Sequence, residues 1–296
     1  MGKIKRTFGF IFNHPLSKRH IVRSFASLLL WQVQSALRPD KFYVKPFIKP
    51  VKFYARKGLT GITGNIYSGL HEFDDMAFLL HFLRPGDVFF DVGANVGSYS
   101  LLALGVCGAK TVSMEPIEPT FNILMQNIAL NHLGENILAI NAAAGGEEGK
   151  LLFTSAYDTG NHVAAKDEPD ANVVSVPVIT IDSLTAGKVP VLVKIDVEGY
   201  ETEVLKGMTE TLDKPDMKAL IIELNGSGAR YGYDEAKLHE LLLSKQFSAC
   251  RYDPFTRSLK PVPTFGSFNT IYCRDIDFVE QRIRTADGVR IMGETI

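Results

Sequence analysis

From residue 69 to residue 273 the chain alternates between two hydrophobic patterns. Short continuous apolar runs (Val88–Val92, then "KTVSMEP", "ILAIN", "VPVLVKID" and "ALIIELN") read as buried strands. Between them lie segments whose apolar residues recur at helical spacing. In "EFDDMAFLLHFL" these are Phe73, Met76, Ala77, Leu80 and Leu83, and the helix stops at Arg84-Pro85-Gly86. In "PTFNILMQNIALNHLG" they are Phe121, Leu124, Met125, Ile128 and Leu130. Further helices are predicted from Ser98 to Gly105, over "GYETEVLKGMTETL" as one unit, and over "DEAKLHELLLSKQ". "KLLFTS" and "NVVSVPVITID" read as additional strands, and "FSACRYDP" with "SFNTIYCRD" as a hairpin around "FTRSLKPVPTFG". Strands alternating with helices predict an α/β fold: a mostly parallel sheet with helices on both faces and an antiparallel pair at the C-terminal end.

The first sixty residues depart from this rhythm. Ile21, Phe25, Leu28, Leu29, Gln32 and Val33 predict a helix that ends near Arg38-Pro39. "FYVKPFIKPVKFYARKG" mixes apolar and basic residues with prolines and reads as an extended or edge-strand arm. The expected division is therefore an appendage over residues 1–60 and a main domain over residues 61–296. Charge sharpens the division. The whole chain carries a net charge of −1. Yet up to Lys57 thirteen lysines and arginines face only Asp40, so the remainder must be acidic. A nucleic-acid enzyme more often carries its positive charge on the catalytic body, so nucleic acid is not the expected partner. The basic arm, with Phe10, Phe12, Phe25 and Trp31 interleaved, is instead suited either to an anionic membrane surface or to the acidic body itself. The run "IVRSFASLLLWQVQSAL" is too short and too polar to span a bilayer and has no small-residue cleavage site after it. Cys107, Cys250 and Cys273 are isolated, which suggests neither zinc nor disulfides. A cytoplasmic protein, at most peripheral to a membrane, is expected.

The candidate chemistry begins at "VFFDVGANVGSYS". A strand runs into a glycine-rich turn that opens a helix near Ser98, where free N–H groups favour an anionic group. Gly93 and Gly97 permit the tight turn and a close approach of backbone to a ligand. The spacing is not the dinucleotide G-x-G-x-x-G, and Asp91 would repel a pyrophosphate while attracting an ammonium group. S-adenosylmethionine carries an ammonium and a sulfonium but no phosphate, so it is the cofactor this turn favours. Glu115, at the end of the next strand, is placed to accept from ribose hydroxyls.

"FFDVGANVGSYSLLAL", "MEPIEPTFNILMQNIALN", "VPVITIDSL", "LVKIDVEGYETEVLKGM" and "LIIELNG" together resemble the FkbM family of S-adenosylmethionine-dependent methyltransferases. The resemblance spans residues 69–225, and "KIDVEG" after "DVGAN" is far more specific than either motif alone. It implies a class I methyltransferase (Rossmann-like) sheet of seven strands whose last pair is antiparallel. It also implies O-methylation of a small-molecule or glycan acceptor. Asn95 stands where many class I enzymes carry glycine, a substitution FkbM-type sequences share. Asp91, Gly93, Ala94, Asn95, Gly97 and Glu115 are the expected cofactor contacts. Two other classes compete: a nicotinamide-dependent reductase or epimerase, for which the fingerprint is missing, and a non-catalytic S-adenosylmethionine-binding module.

Asp196 ends a buried strand and is the candidate general base, with His162 of "YDTGNHV" as a second. Asp158 and Asn161 share that loop, and His71 beside Glu72 is a candidate for the entrance. Lys194, in an apolar strand, needs a partner, Glu223 or Asp91. Glu198 and Glu201 read as acids at a helix N-terminus. Asp196, Glu223 and Asn225 are expected to meet where two adjacent strands end, an arrangement that resembles the acids and amide of metal-dependent catechol-type methyltransferases. A hydrogen-bonded polar cluster is the favoured reading, and no metal is assigned. His81 and His132 sit in helical patterns and are read as core or surface residues.

Overall fold

The computed structural model describes residues 2–154, 160–164, 173–185 and 187–296, with side chains from residue 7 onward. Asp158 lies outside the described residues. Helix α1 (Gly2–Asn13) comes first, and its helical pattern is weakened by Gly9 and by the absence of acids in its first turn. After a 3-10 turn at Ser17–His20 comes α2 (Ile21–Leu37), as the periodicity predicts. The proline-containing arm folds back as an antiparallel hairpin of β1 (Tyr43–Pro46) and β2 (Lys52–Ala55), with Tyr43 opposite Ala55. Two short helices, α3 (Thr60–Thr63) and α4 (Asn65–Ser68), then lead into α5 (Phe73–Phe82).

The alternating region begins with β3 (Val88–Val92), α6 (Ser98–Gly105), β4 (Lys110–Met114), α7 (Glu118–Leu130) and β5 (Ile137–Ile140). Next, β6 (Ala143–Ala144), β7 (Gly149–Thr154) and β8 (Val173–Ile179) form a separate sheet in the order β6-β8-β7. The chain continues through α8 (Ile181–Leu184), β9 (Leu192–Ile195), α9 (Glu201–Lys206), α10 (Thr209–Asp213) and β10 (Ala219–Glu223). It ends with α11 (Glu235–Ser244), β11 (Ser248–Asp253), β12 (Ser258–Pro261), β13 (Asn269–Cys273), α12 (Ile276–Arg284) and the short pair β14 (Arg290–Ile291) and β15 (Glu294–Thr295).

The central sheet runs β12-β11-β13-β10-β9-β3-β4-β5. From β5 to β10 every pairing is parallel, and β13 returns antiparallel between β10 and β11. This is the class I methyltransferase arrangement with one strand added. The expected hairpin of β11 and β13 forms, but Ser258–Pro261, read as part of its loop, makes an eighth strand on the free edge of β11. Pro261 is tolerated there because an edge strand need not donate every ladder hydrogen bond. The helix expected over "GYETEVLKGMTETL" is broken into α9 and α10 around Gly207. A Cβ at Gly207 would lie 1.9 Å from the Gly145 carbonyl oxygen, so the two backbones touch where a continuous helix with a side chain would not fit.

Burial on both sheet faces explains the unbroken apolar runs. Phe89 and Ile221 pack toward α5, α6 and α12, with Leu79, Leu102 and Ile283, while Phe90 and Leu220 pack toward α9, α10 and α11, with Leu205, Leu212 and Leu242. Each such side chain contributes about 1.5–3 kcal/mol by leaving water. The first sixty residues join these layers. Leu16 and Ile48 enter the first cluster, and Trp31, Val51, Phe53 and Ala55 pack with Ile123, Leu124 and Ile128 of α7.

Candidate active site

A cavity of about 370 Å³ opens at the carboxyl ends of β3, β4, β9 and β10, where a parallel sheet of this topology binds ligands. The turn after β3 forms one wall. Gly93 and Ala94 both donate their N–H to the Met114 carbonyl, at 3.0 and 2.8 Å, and so tie the turn to the end of β4. Gly93 has φ 81°, and a Cβ there would sit 1.9 Å from the Asp196 carbonyl oxygen. The close approach that demands glycine is therefore made by the neighbouring strand-end loop. Gly97, at φ 96°, starts α6 and faces Leu124. Asn95 is left-handed, with φ 49°, a conformation asparagine tolerates better than most residues. Its side-chain oxygen accepts from Val96 N at 2.8 Å, and its own N–H donates to Glu115 Oε2 at 3.0 Å. Glu115 Oε1 accepts from Ile117 N at 2.9 Å. Burial pushes the Glu115 carboxyl up to about 7, with two backbone donors pulling the other way.

Charge is concentrated on the cavity floor. Lys194 is buried and donates to Asp196 Oδ2 at 2.6 Å, with its ammonium also 4.7 Å from the Tyr99 ring centre. Burial alone would lower the Lys194 pKa, but Asp196, Glu72 and Asp91 outweigh it and the net shift is upward. Asp91 lies opposite Lys194 in the parallel register and accepts from Ser100 Oγ at 2.5 Å. Its pKa is raised by burial, against the pull of Lys194. Tyr99 donates to Glu72 Oε2 at 2.7 Å. Asp196, Glu198 and Glu223 each offer a carboxylate oxygen, and these oxygens lie within 4.8 Å of one another. Burial, then Asp196 and Glu198, push Glu223 up to about 9, and burial pushes Glu198 up to about 7. Three oxygens at such spacing could hold a hard cation; equally, protons shared among them relieve the same repulsion.

Residues 91–253 match the model of the methyltransferase FkbM domain, more than half of the chain. The chain belongs to the FkbM methyltransferase family. It is 28% identical over 184 residues to the hexuronic acid methyltransferase AglP of Haloferax volcanii, spanning 60% of this chain and 70% of that one. It is 28% identical over 187 residues to the 31-O-demethyl-FK506 methyltransferase FkbM of Streptomyces tacrolimicus, spanning 52% of this chain and 72% of that one. Among solved structures, an rRNA methylase from Streptococcus thermophilus has a TM-score of 0.40 and 12% identity over 68% of this chain and 93% of that chain. M. capricolum TrmK in complex with S-adenosylhomocysteine has a TM-score of 0.38 and 10% identity over 68% of each chain. As a member of the FkbM family the protein is an S-adenosylmethionine-dependent methyltransferase, and the nicotinamide reading is set aside. Its cavity suits that cofactor. Buried carboxylates end β3 and β4, and the turn between β3 and α6 presents backbone at the cavity wall.

In this FkbM-family enzyme Asp91, Gly93, Ala94, Asn95, Glu115 and Asp196 all line the cavity. Gly97 and His162 do not; Gly97 faces Leu124, and Asn161, next to His162, reaches the wall. His162 lies close enough to Glu198 to act on its charge, and its Nδ1 is 2.7 Å from the Gly160 carbonyl oxygen. His71 lines the cavity, with its Nδ1 buried. The partner of Lys194 is Asp196 on its own strand, where Glu223 or Asp91 was expected. Asn225 is exposed and accepts from Ser227 N at 2.9 Å, so it leaves the carboxylate cluster to Glu198. Glu201 does stand in the first turn of its helix, where its side chain accepts from Val197 N and Gly199 N of the preceding loop, but Glu198 precedes the helix in a left-handed turn, φ 54°. That turn aims it back at Asp196. An acid directly before Gly199 was the only signal of this in the sequence. Glu72 and Tyr99 were also missed, since each joins the site through another element. His81 is a core residue bonded to the Tyr252 hydroxyl, and His132 is on the surface.

Proposed function

We propose that this methyltransferase methylates a hydroxyl oxygen of a glycan or natural-product acceptor, with Asp196 receiving the hydroxyl proton. The observation that carries the reading is the setting of Asp196. It ends β9 at the cavity, its side chain is 28% exposed, and Lys194 holds Oδ2 while Oδ1 is left for the acceptor. The names of the two relatives, a hexuronic acid methyltransferase and a 31-O-demethyl-FK506 methyltransferase, support this acceptor class.

Bound S-adenosylmethionine supplies an electrophilic methyl group on its sulfonium centre. Glu115 would accept from the ribose hydroxyls through lone pairs its two backbone donors leave free, and Asp91 would offer negative charge to the ammonium group. Asp196 lies one strand from Asp91 and takes the proton from the acceptor. The Lys194 ammonium, bonded to Oδ2 at 2.6 Å, fixes the carboxylate rotamer. Glu223, protonated at neutral pH, donates a hydrogen bond to the acceptor. His162 acts from behind Glu198, holding the acceptor side of the wall. The cavity floor carries Glu72, Asp91, Glu115, Asp196, Glu198 and Glu223 against Lys194, a poor surface for a phosphate backbone, so a nucleic acid is not the proposed acceptor. No metal is required in this scheme.

The test combines binding and turnover. Asp196→Asn is expected to bind S-adenosylhomocysteine within a few-fold of the native protein by calorimetry, and to lower kcat by at least about a hundredfold on hexuronic-acid glycosides with labelled cofactor. His162→Ala is expected to cost less. Near-native turnover of Asp196→Asn removes it as the base. Loss of cofactor binding makes it a cofactor ligand instead. Activity that vanishes with chelator and returns with magnesium assigns the three carboxylates to a cation.

A further inference from the structure

Helix α2 is mounted with its more apolar face outward. The side packed on the protein carries Ser24, Leu28, Trp31 and Ser35. The exposed side carries Val22, Leu29, Leu30, Val33 and Leu37, which are 81, 66, 64, 50 and 77% exposed. Positions 22, 26, 29, 33 and 37 fall along one stripe of a helix, and all five are apolar here. The stripe continues onto α1, where exposed Phe8 and Phe12 stack on Phe25 at 4.9 and 5.5 Å. Arg23 is the sole charge within α2. Single exposed apolar residues are ordinary, but a contiguous patch of this kind marks a contact surface.

Beside the stripe, α2, the β1–β2 hairpin and the β14–β15 pair enclose a groove of about 820 Å³. Arg23, Lys45, Lys49, Lys52 and Arg290 line it, with Leu30 and Trp31 on the helix side. No Asp or Glu is among the described residues that line it. Arg38 and Lys41 follow the C-terminal end of the helix and are exposed, as is Lys18 before it; Arg19 beside it is paired with Glu294. An apolar stripe bordered by cations matches an interface whose outer layer is anionic and whose interior is hydrocarbon. A second copy of the chain matches poorly, because a self-complementary contact would set one cationic groove against another. No helix among the described residues is long and apolar enough to cross a membrane, so the fit is to the surface.

We infer that the outward face of α2, with the adjoining cationic groove, docks this enzyme on an anionic lipid bilayer, the stripe entering the acyl boundary and the groove receiving headgroup phosphates. The segment from Thr60 to Ser68 joins this face to the catalytic cavity: Thr60 and Gly61 line the cavity, and Asn65 and Ile66 line the groove. The docked enzyme therefore works next to the bilayer surface.

The full chain is sedimented with phosphatidylcholine vesicles containing phosphatidylglycerol, and with phosphatidylcholine vesicles alone, at low and high salt. It is expected to pellet with the anionic vesicles at low salt, and to be released by salt or by removal of the anionic lipid. Leu29→Glu/Val33→Glu changes only exposed positions, so a native melting curve is expected, with partitioning at least about tenfold weaker. Lys49→Glu/Lys52→Glu is expected to bind as weakly while keeping any residual affinity for neutral vesicles. Failure of the native chain to pellet at low salt overturns the inference. So does a folded Leu29→Glu/Val33→Glu protein that pellets like the native one. A native chain that ignores vesicles but is a dimer in the ultracentrifuge, and that Leu29→Glu/Val33→Glu makes monomeric, shows that a second copy covers the face instead.

Discussion

Replacing Gly93 by alanine tests whether the glycine turn is built to meet the neighbouring loop. The added Cβ would stand 1.9 Å from the Asp196 carbonyl oxygen, and real contacts of this kind open to at least 3.0 Å. The obstacle is backbone rather than the tip of a flexible side chain. Either the turn or the β9 end must therefore move by about an ångström. The residue also has φ 81°, and a left-handed conformation costs a non-glycine residue about 1–2 kcal/mol. Overpacking a filled site adds about 1–3 kcal/mol. Together these predict a loss of about 2–5 kcal/mol, or a Tm lower by roughly 4–10 °C for a chain of this size. The displaced loop carries Asp196. A misplacement of about 1 Å can cost a hundredfold in rate, so kcat is expected to fall by about that factor while the fold survives. Calorimetric melting and turnover with labelled cofactor measure both effects. Gly97→Ala is the control. Its Cβ would crowd the Leu124 methyl, at 2.6 Å, the end of a side chain that can swing aside, so it should lose about 1–2 kcal/mol with little change in kcat. If Gly93→Ala melts within about 1 °C of the native protein and turns over normally, the contact argument fails. It also fails if Gly97→Ala is equally damaging to turnover.

Two further outcomes are expected. Glu115→Ala should weaken S-adenosylhomocysteine binding by at least about tenfold in calorimetry, since charge-assisted hydrogen bonds to both ribose hydroxyls are worth about 1.5–3 kcal/mol; unchanged affinity would remove Glu115 from the cofactor site. Glu223→Gln should raise Tm at pH 8 and leave it nearly unchanged near pH 4.5. The native carboxyl, raised from 4.5 to about 9 in the folded protein, binds its proton more tightly folded than unfolded. Its contribution is thus complete below pH 4.5 and lost as pH rises toward 9, a loss that glutamine escapes. A stabilisation independent of pH would show that packing, not ionisation, governs the position.

Periodicity and spacing were enough to establish the parallel core and its binding edge. Val88–Val92, Leu192–Ile195 and Ala219–Glu223 are buried on both faces, and only continuous apolar runs satisfy that environment. The turn from Asp91 to Gly97 and the position of Glu115 were legible too, because a tight strand-to-helix turn leaves few residue types that fit. What tertiary structure decided were contacts between segments distant in sequence. Gly207 breaks a helix because Gly145 lies against it, and Gly93 is needed because the Asp196 loop crosses it. Lys194 could be seen to need a partner, but β-strand alternation puts Asp196 on the same face two residues on, nearer than the acid across the sheet. Glu198 reads as a helix acid until the left-handed backbone at 198 turns it toward Glu223, a direction no local propensity encodes. The helical period of α2 was visible in the chain, but not which side would face out. Packing, chiefly against α4, selected Ser24, Leu28, Trp31 and Ser35 for the interior and left the more apolar stripe to the solvent.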